Sequence, residues 1–314
     1  VRGPPLHPHT PRRRRWQLVT GAALAASVAL LASGCSPDKV KRGFLPGYDD
    51  GKQVTDQTAR ITHLWNGSWI ALLVVGVITW GLMIWCIAAY RKRKGDDALP
   101  IQTRYHMPLE IMYTVVPIVA ILVLFFYTNR DVTEIKKVSG TPDVTIGVIG
   151  KQWSWDFNYV DEDVHEAGVM AQDVGSLTKD DLVDGAKGTD KAMPTLYLPV
   201  GKKVLFNLTT RDVAHSFWVP AFLYKEDLIP GHPNSFEMTP LREGTYAGKC
   251  AELCGEWHSS MLFNVKVVSE QEYQQHIEDL RAAGQTGLLS DAYDRSQNDG
   301  ETAGNLPTDS EGGQ

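Results

Sequence analysis

Two cysteines, a histidine and a methionine fall within CAELCGEWHSSM, as Cys250, Cys254, His258 and Met261. Thiol, imidazole and thioether side chains so close together read as metal or redox chemistry. Four chemistries compete. An exported cysteine pair is ordinarily bridged, and an offset of four allows a disulfide, but His258 and Met261 are then left without a part. Structural zinc takes four Cys or His ligands, and only three stand here. A thiol oxidoreductase would carry the pair on a thioredoxin-like α/β domain, commonly with Pro after the second cysteine, where this chain has Gly255 and strand-like surroundings. Copper uses all four residues: thiolate and thioether suit it, imidazole suits either oxidation state, and a weak axial Met tunes the potential. Upstream, DVAHSFWVP offers a second imidazole at His215. A mononuclear copper site would leave one cysteine over. Two thiolates can instead bridge two copper ions, each capped by one histidine, with Met261 and a main-chain carbonyl completing the shells.

The segment that must position these residues alternates with period two from residue 141. In DVTIGVIGKQWSWDFNY, Val144, Ile146 and Val148 share one face, as do Trp153, Trp155, Phe157 and Tyr159, with Gly147 and Gly150 as bulge or turn points. TLYLPVGKKVLFNLTT predicts two strands joined at 199–201, and further strands are expected at 235–238, 244–248 and 261–268. Many short strands with Gly/Pro turns predict an all-β sandwich or barrel. Residues 160–193 carry nine acids against three lysines and read as an acidic insertion. Residues 270–283 could form a short amphipathic helix, and the Gly/Ser/Asp/Gln-rich remainder to 314 reads as a disordered tail.

Residues 61–90 and 111–129 contain no Asp, Glu, Lys or Arg. About 20 apolar residues cross a bilayer core, so both are expected to span it, giving a transmembrane hairpin over 61–130. RKRKG at 91–95 places the connecting loop 91–107 in the cytoplasm and both flanks outside. An earlier stretch, 17–34, follows Arg12 to Arg15 and ends in LLASGCS, the layout of an export signal over residues 1–34. LASGC is similar to a bacterial lipobox, with Ala32 at the position that motif gives to Leu; Cys35 would then be lipidated and begin an exported segment, 35–60. The competing reading is a third membrane helix. The whole chain carries a formal charge of −6, and residues 1–34 hold arginines and no acid, so the exported part is more acidic still. Such a surface speaks against nucleic acid and for a basic partner. Cys86 lies inside the first span and reads as a small apolar filler.

C-x3-C-x3-H-x2-M after a strand-borne histidine, preceded by a two-helix hairpin, resembles subunit II of the haem–copper cytochrome c oxidases over about residues 61–268. The resemblance implies a cupredoxin domain (a Greek-key β-sandwich, 141–269) holding the dinuclear CuA centre. One copper would take His215 and Met261, the other His258 and the main-chain carbonyl of Glu252, with Cys250 and Cys254 bridging. The Glu252 carboxylate would help hold magnesium at the junction with subunit I, against the bland reading of a solvent-facing acid. Trp153, in GKQWSWDFNY, matches the tryptophan through which an electron enters, whereas Trp155, Phe157 and Tyr159 read as core. Glu110, in LEIMYTVVP, matches an acid at the cytoplasmic mouth of a proton path, although a helix N-terminus also favours a carboxylate. Asp212 is a candidate partner of ligand-loop groups, a candidate contact for the donor, or a plain turn residue. Lys225 and His232 lie in a segment that faces subunit I in the family.

The expectation is therefore a bacterial, plasma-membrane, multi-pass subunit of an aa3-type oxidase. The copper domain and both termini of the mature chain would lie outside, and subunits I and III would be its partners. A c-type cytochrome would be the donor, and haem would be confined to subunit I, where oxygen is reduced with proton pumping. The acidic insertion departs from short members of the family and suggests docking of a membrane-tethered donor. The sequence has no C-x-x-C-H, so no fused c-type haem is expected. Two other classes stay open: a membrane-anchored copper-delivery protein binding one exchangeable ion, and a structural quinol-oxidase subunit, which lacks copper ligands.

Overall fold

The computed structural model describes residues 36–91, 95, 102–171 and 193–291. The expected signal and lipobox, most of the acidic insertion and the tail after residue 291 lie outside the described residues. The chain divides into two units, Val1–Phe44 and Leu45–Gln314. In the first, the described part contains one helical turn, Pro37–Lys41.

The second unit opens with a two-stranded ribbon, β1 (Tyr48–Asp49) and β2 (Lys52–Gln53). Two long helices follow, α1 (Thr58–Ala89, 32 residues) and α2 (Met107–Ile135, 29 residues). A rise of ~1.5 Å per residue makes them about 48 and 44 Å long, enough to cross a hydrocarbon core of ~30 Å with some tilt. Their apolar side chains are exposed on all faces. Such a surface is stable only against lipid or another protein. Charge is kept to the ends. Arg60 of α1 reaches across to the buried Asp131 of α2 at 3.3 Å and ties the two helices together near the β domain, while the adjacent Arg130 pairs with the same carboxylate at 2.9 Å. At the other end α2 is capped reciprocally: His106 Nδ1 accepts the Leu109 N–H (3.3 Å), and Glu110 Oε1 accepts the His106 N–H (2.9 Å).

Beyond α2 the linker is clamped to the sandwich. Lys136 pairs with Glu226 at 3.0 Å, and the Ser139 N–H and hydroxyl donate to Glu237 at 2.8 and 3.1 Å. One sheet holds β3 (Val144–Lys151), β4 (Ser154–Tyr159), β5 (Val164–Glu166), β7 (Val204–Thr210) and β10 (Asn234–Met238), ordered β10-β7-β3-β4-β5. The other holds β6 (Thr195–Pro199), β8 (His215–Val219), β9 (Tyr224–Leu228), β11 (Gly244–Cys250) and β12 (Leu262–Val268), ordered β6-β12-β11-β8-β9. Pairing is antiparallel except β3 with β7 and β6 with β12. Consecutive strands therefore often sit in opposite sheets, the non-meander order of the expected Greek-key sandwich. The inward faces carry an aromatic core, with Phe206 stacked on Phe236 (4.7 Å) and Phe217 on Phe263 (4.8 Å). Trp155 meets both Phe217 and Phe263 edge-on.

Three segments differ from the sequence expectation, and two of them cover one surface. All six residues of β4 are buried, although alternation predicts a wet outer face. Residues 160–171, expected as the start of a polar loop, form a 3-10 turn and β5 and fold back over β4. Residues 285–291, expected as tail, follow helix α3 (Glu270–Ala282) and strap down beside them. Asn158 of β4 exchanges two 2.9 Å hydrogen bonds with the Leu289 backbone, and Arg211 donates to the Ser290 carbonyl at 2.7 Å. Under this cover Asp156 is paired with Lys151 (3.0 Å) and Arg211 (3.2 Å). The polar outward residues of β4 were thus chosen for partners, not for water. The third difference is β9, whose run Lys225, Glu226, Asp227 hides a strand; charge suits it to a sheet edge.

Candidate metal centre

β11 ends at Cys250 and β12 begins at Leu262, so residues 251–261 form a loop strung between paired strands. Its neck is closed by Cys250 N–H to Met261 O (3.1 Å) and Ala251 N–H to Ser216 O (3.0 Å). A 3-10 turn, His258–Ser260, brings His258 and Met261 back toward the cysteines. His215 begins β8, the strand beside β11, and is fully buried. His215, Cys250 and Cys254 each bring a ligand atom within 4.8 Å of the others.

The cysteines are free, with Sγ atoms 3.9 Å apart. His215 Nδ1 stands 3.8 Å from Cys250 Sγ, and the Glu252 carbonyl oxygen 3.2 Å from the same sulfur. His258 Nδ1 is 3.6 Å and Met261 Sδ 3.8 Å from Cys254 Sγ. Two ligands of one tetrahedral ion, at about 2.3 Å for sulfur and 2.0 Å for nitrogen, stand about 3.5–3.8 Å apart. The six donors are therefore set at coordination spacing. They are too many for one tetrahedral ion, and they suffice for two if the sulfurs are shared. Soft sulfur with imidazole favours copper over a hard cation.

The two thiols titrate as a unit. Their mutual contact holds the Cys250 thiol below its ordinary value, while that same interaction and burial push Cys254 up. A bound cation would draw off their protons, since metal binding needs the thiolates. Burial acts to lower the His215 pKa, but hydrogen bonds with Asp212 and Cys250 outweigh it and raise it. Asp212 is the reverse case: burial opposes its charge, yet His215 and the Gln152 and Val213 amides hold it below its ordinary value. Its Oδ1 lies 2.9 Å from His215 Nε2. That contact directs His215 Nδ1 at the sulfurs, as a carboxylate behind a ligating histidine does.

The β3–β4 turn forms the other wall. Gln152 Nε2 and Trp153 Nε1 both donate to the Cys254 carbonyl, at 2.8 and 3.2 Å. Gly255 adopts φ +128°, and a Cβ there would meet the Trp153 ring at 2.9 Å, so glycine is what lets the indole lie on the loop. Gly150 works similarly: a Cβ would stand 2.9 Å from the His215 ring. The sequence pattern marks Gly150 as a bulge or turn point and gives no sign of Gln152 beyond its place beside Trp153. Of the other expected site residues, Glu252 is exposed. Glu110 stands at the start of α2, the end away from the sandwich, where it caps the helix. His232 lines a 220 Å³ cavity with Arg211 and Asp212, and Lys225 lies 3.9 Å from Asp227.

Residues 144–268 match the family model described as cytochrome c oxidase subunit II, periplasmic domain. A curated protein of Streptomyces avermitilis, named probable cytochrome c oxidase subunit 2, is 45% identical over 298 residues, covering 89% of this chain and 92% of that protein. The chain belongs to the cytochrome c oxidase subunit II family. A Mycobacterium tuberculosis cytochrome c oxidase subunit 2 is 32% identical over 306 residues, covering 85% of this chain and 83% of that one. Among solved structures, the periplasmic domain of subunit II (CoxB) of Bradyrhizobium japonicum is 31% identical, with a TM-score of 0.39, over 46% of this chain and 96% of that one. As a subunit II, the chain is part of an oxidoreductase complex, and the matched domain contains the cysteine–histidine cluster.

Proposed function

We propose that this chain is the electron-accepting subunit of an aa3-type cytochrome c oxidase. Cys250 and Cys254 would bridge a dinuclear copper centre, with His215 and Met261 on one ion and His258 and the Glu252 carbonyl on the other. The observation that carries this is the coordination spacing of six donors of the right softness. When bound, the copper pair would supply a one-electron carrier between a c-type cytochrome and haem of the partner subunit. The chain's own residues do the rest. The interlocked strands β8, β11 and β12 hold the donors at fixed spacing, so little would move on a change of redox state. Asp212 orients His215, and burial keeps water from the thiolates. Trp153, half-buried and hydrogen-bonded to the Cys254 carbonyl, offers the donor an aromatic contact one hydrogen bond from a ligand residue.

The carboxylate of the exposed Glu252 suits magnesium shared with subunit I, since a hard cation takes oxygen ligands. Glu110 would stand at the cytoplasmic mouth of a proton path, with the hairpin in the plasma membrane and the sandwich outside. Subunits I and III would be partners of the chain in the complex, Cys35 would be lipidated, and the acidic insertion would receive a basic or membrane-tethered cytochrome. The test is to mix the purified oxidase with reduced cytochrome c and follow its oxidation. Cys254→Ser should abolish rapid oxidation while the haem spectra persist. Unchanged kinetics in that variant would refute electron acceptance at this loop.

A further inference from the structure

The helical hairpin carries a groove that electron transfer does not use. It lies between α1 and α2 at the end nearest the sandwich and has a volume of about 330 Å³. Gly67 and Ala71 of α1 open it, and Val123 and Leu124 of α2 form its apolar wall. Its mouth is charged: Arg130 and Asp131 line it, and Arg60 reaches the same carboxylate from beside it. Asp131, 3% exposed, takes both Arg60 and Arg130 on one carboxylate oxygen, leaving two guanidinium groups to one acid. Both arginines remain substantially exposed, at 40% and 54%. The Arg130 guanidinium also lies over the Tyr127 ring at 5.2 Å. Trp65 and Trp69 stand on the same turns of α1, in T-shaped contact at 5.6 Å. Aromatic rings with arginines at the end of an apolar span mark headgroup level.

We infer that this groove is a binding site for one anionic phospholipid of the outer leaflet. The phosphate would sit on the Arg60–Arg130 pair, whose planar donors match phosphate oxygens, and an acyl chain would lie along the Gly67–Ala71 side. The dimensions agree. From Arg60 to Ala71 α1 rises about 16 Å, close to one leaflet of a ~30 Å core. Net positive charge at the mouth selects an anionic over a zwitterionic headgroup. The inference rests on the hairpin lying in a bilayer and is independent of the metal centre.

The test uses the full-length chain in mild detergent, supplied with phosphatidylglycerol or phosphatidylcholine of equal chain length, with retained lipids counted by native mass spectrometry. The wild type should retain one phosphatidylglycerol in preference to phosphatidylcholine. The preference should disappear in Arg60→Gln/Arg130→Gln. Gly67→Leu fills the groove without touching the ion cluster, since the space beyond Gly67 is open, and it should lose the lipid even if the arginine variant is unstable. Equal retention of the two lipids, or Gly67→Leu retaining phosphatidylglycerol like the wild type, would overturn the site. If the isolated chain holds the lipid and the whole oxidase excludes it from the groove, a helix of another subunit is the occupant, which also overturns it. A chain that fails to insert into phosphatidylcholine vesicles would instead remove the membrane reading beneath it.

Discussion

Asp212 is where the electrostatics of the centre can be perturbed without touching a donor atom. Its Oδ1 accepts from Val213 N–H (2.7 Å) and meets His215 Nε2 (2.9 Å), while Oδ2 accepts from Gln152 N–H (2.6 Å). In Asp212→Asn the amide nitrogen must face one side or the other, so at least one donor meets a donor. Loss of a group behind a ligating histidine lowers metal affinity about 10–100-fold, or about 1.4–2.8 kcal/mol. Asp212→Ala removes all three acceptors. Leaving a buried donor unpaired costs about 1–3 kcal/mol; His215 is fully buried and the two amides half-buried, so a loss of about 3 kcal/mol in folding stability is expected. The assay is copper competition against a chelator on the full-length chain, with denaturant unfolding of the copper-free chain alongside. Asp212→Asn should lose less folding stability than Asp212→Ala and release copper more readily than the wild type. An Asn variant that binds copper as tightly as the wild type would show that the carboxylate does not orient His215.

Trp153→Phe removes the hydrogen bond to the Cys254 carbonyl and should slow oxidation of reduced cytochrome c at least tenfold, with the copper spectrum intact; an unchanged rate in stopped-flow would dismiss the indole contact. Gly248→Ala places a Cβ inside the Phe263 ring, and overpacking of that kind costs about 1–3 kcal/mol, read as a lowered unfolding midpoint. Truncation after Gly284 removes the strap over Asn158 and Arg211 and should lower thermal stability without altering the metal set, as calorimetry and copper content would report. Burial, with help from neighbouring acids, raises the pKa of Tyr159 and Tyr273. The unfolded chain then loses these protons first as pH rises past ~10, so their stabilisation is complete below that pH and lost above it. The last tyrosines to ionise, followed by ultraviolet absorbance, should therefore do so together with alkaline unfolding. Ionisation of every tyrosine before unfolding would contradict the burial argument.

The hairpin and the ligand loop were legible in the sequence because each depends on local pattern. Uncharged runs longer than a bilayer is thick, and four soft ligands in one loop, leave few other readings. The core half of β4 was equally plain, since Trp155, Phe157 and Tyr159 alternate. What stayed hidden depends on pairings distant in sequence. Nothing in the residues around Asp156 announces that Arg211 and a strap at 285–291 will cover it, and polar tail residues look alike whether they hydrogen-bond a strand or water. His215 could be picked out as an imidazole ahead of the loop, but its orientation by Asp212 needed the folded turn. Gln152 was invisible for the same reason: its partner is a carbonyl, which every residue possesses.

The central claim is that Cys250, Cys254, His215, His258, Met261 and the Glu252 carbonyl together hold two copper ions sharing one electron. Electron paramagnetic resonance of the copper-loaded full-length chain, with copper content measured on the same sample, tests it most directly. The account predicts two coppers per chain and hyperfine structure from one unpaired electron spread over both nuclei. A spectrum from one copper nucleus at one ion per chain would contradict it and favour a copper-delivery role.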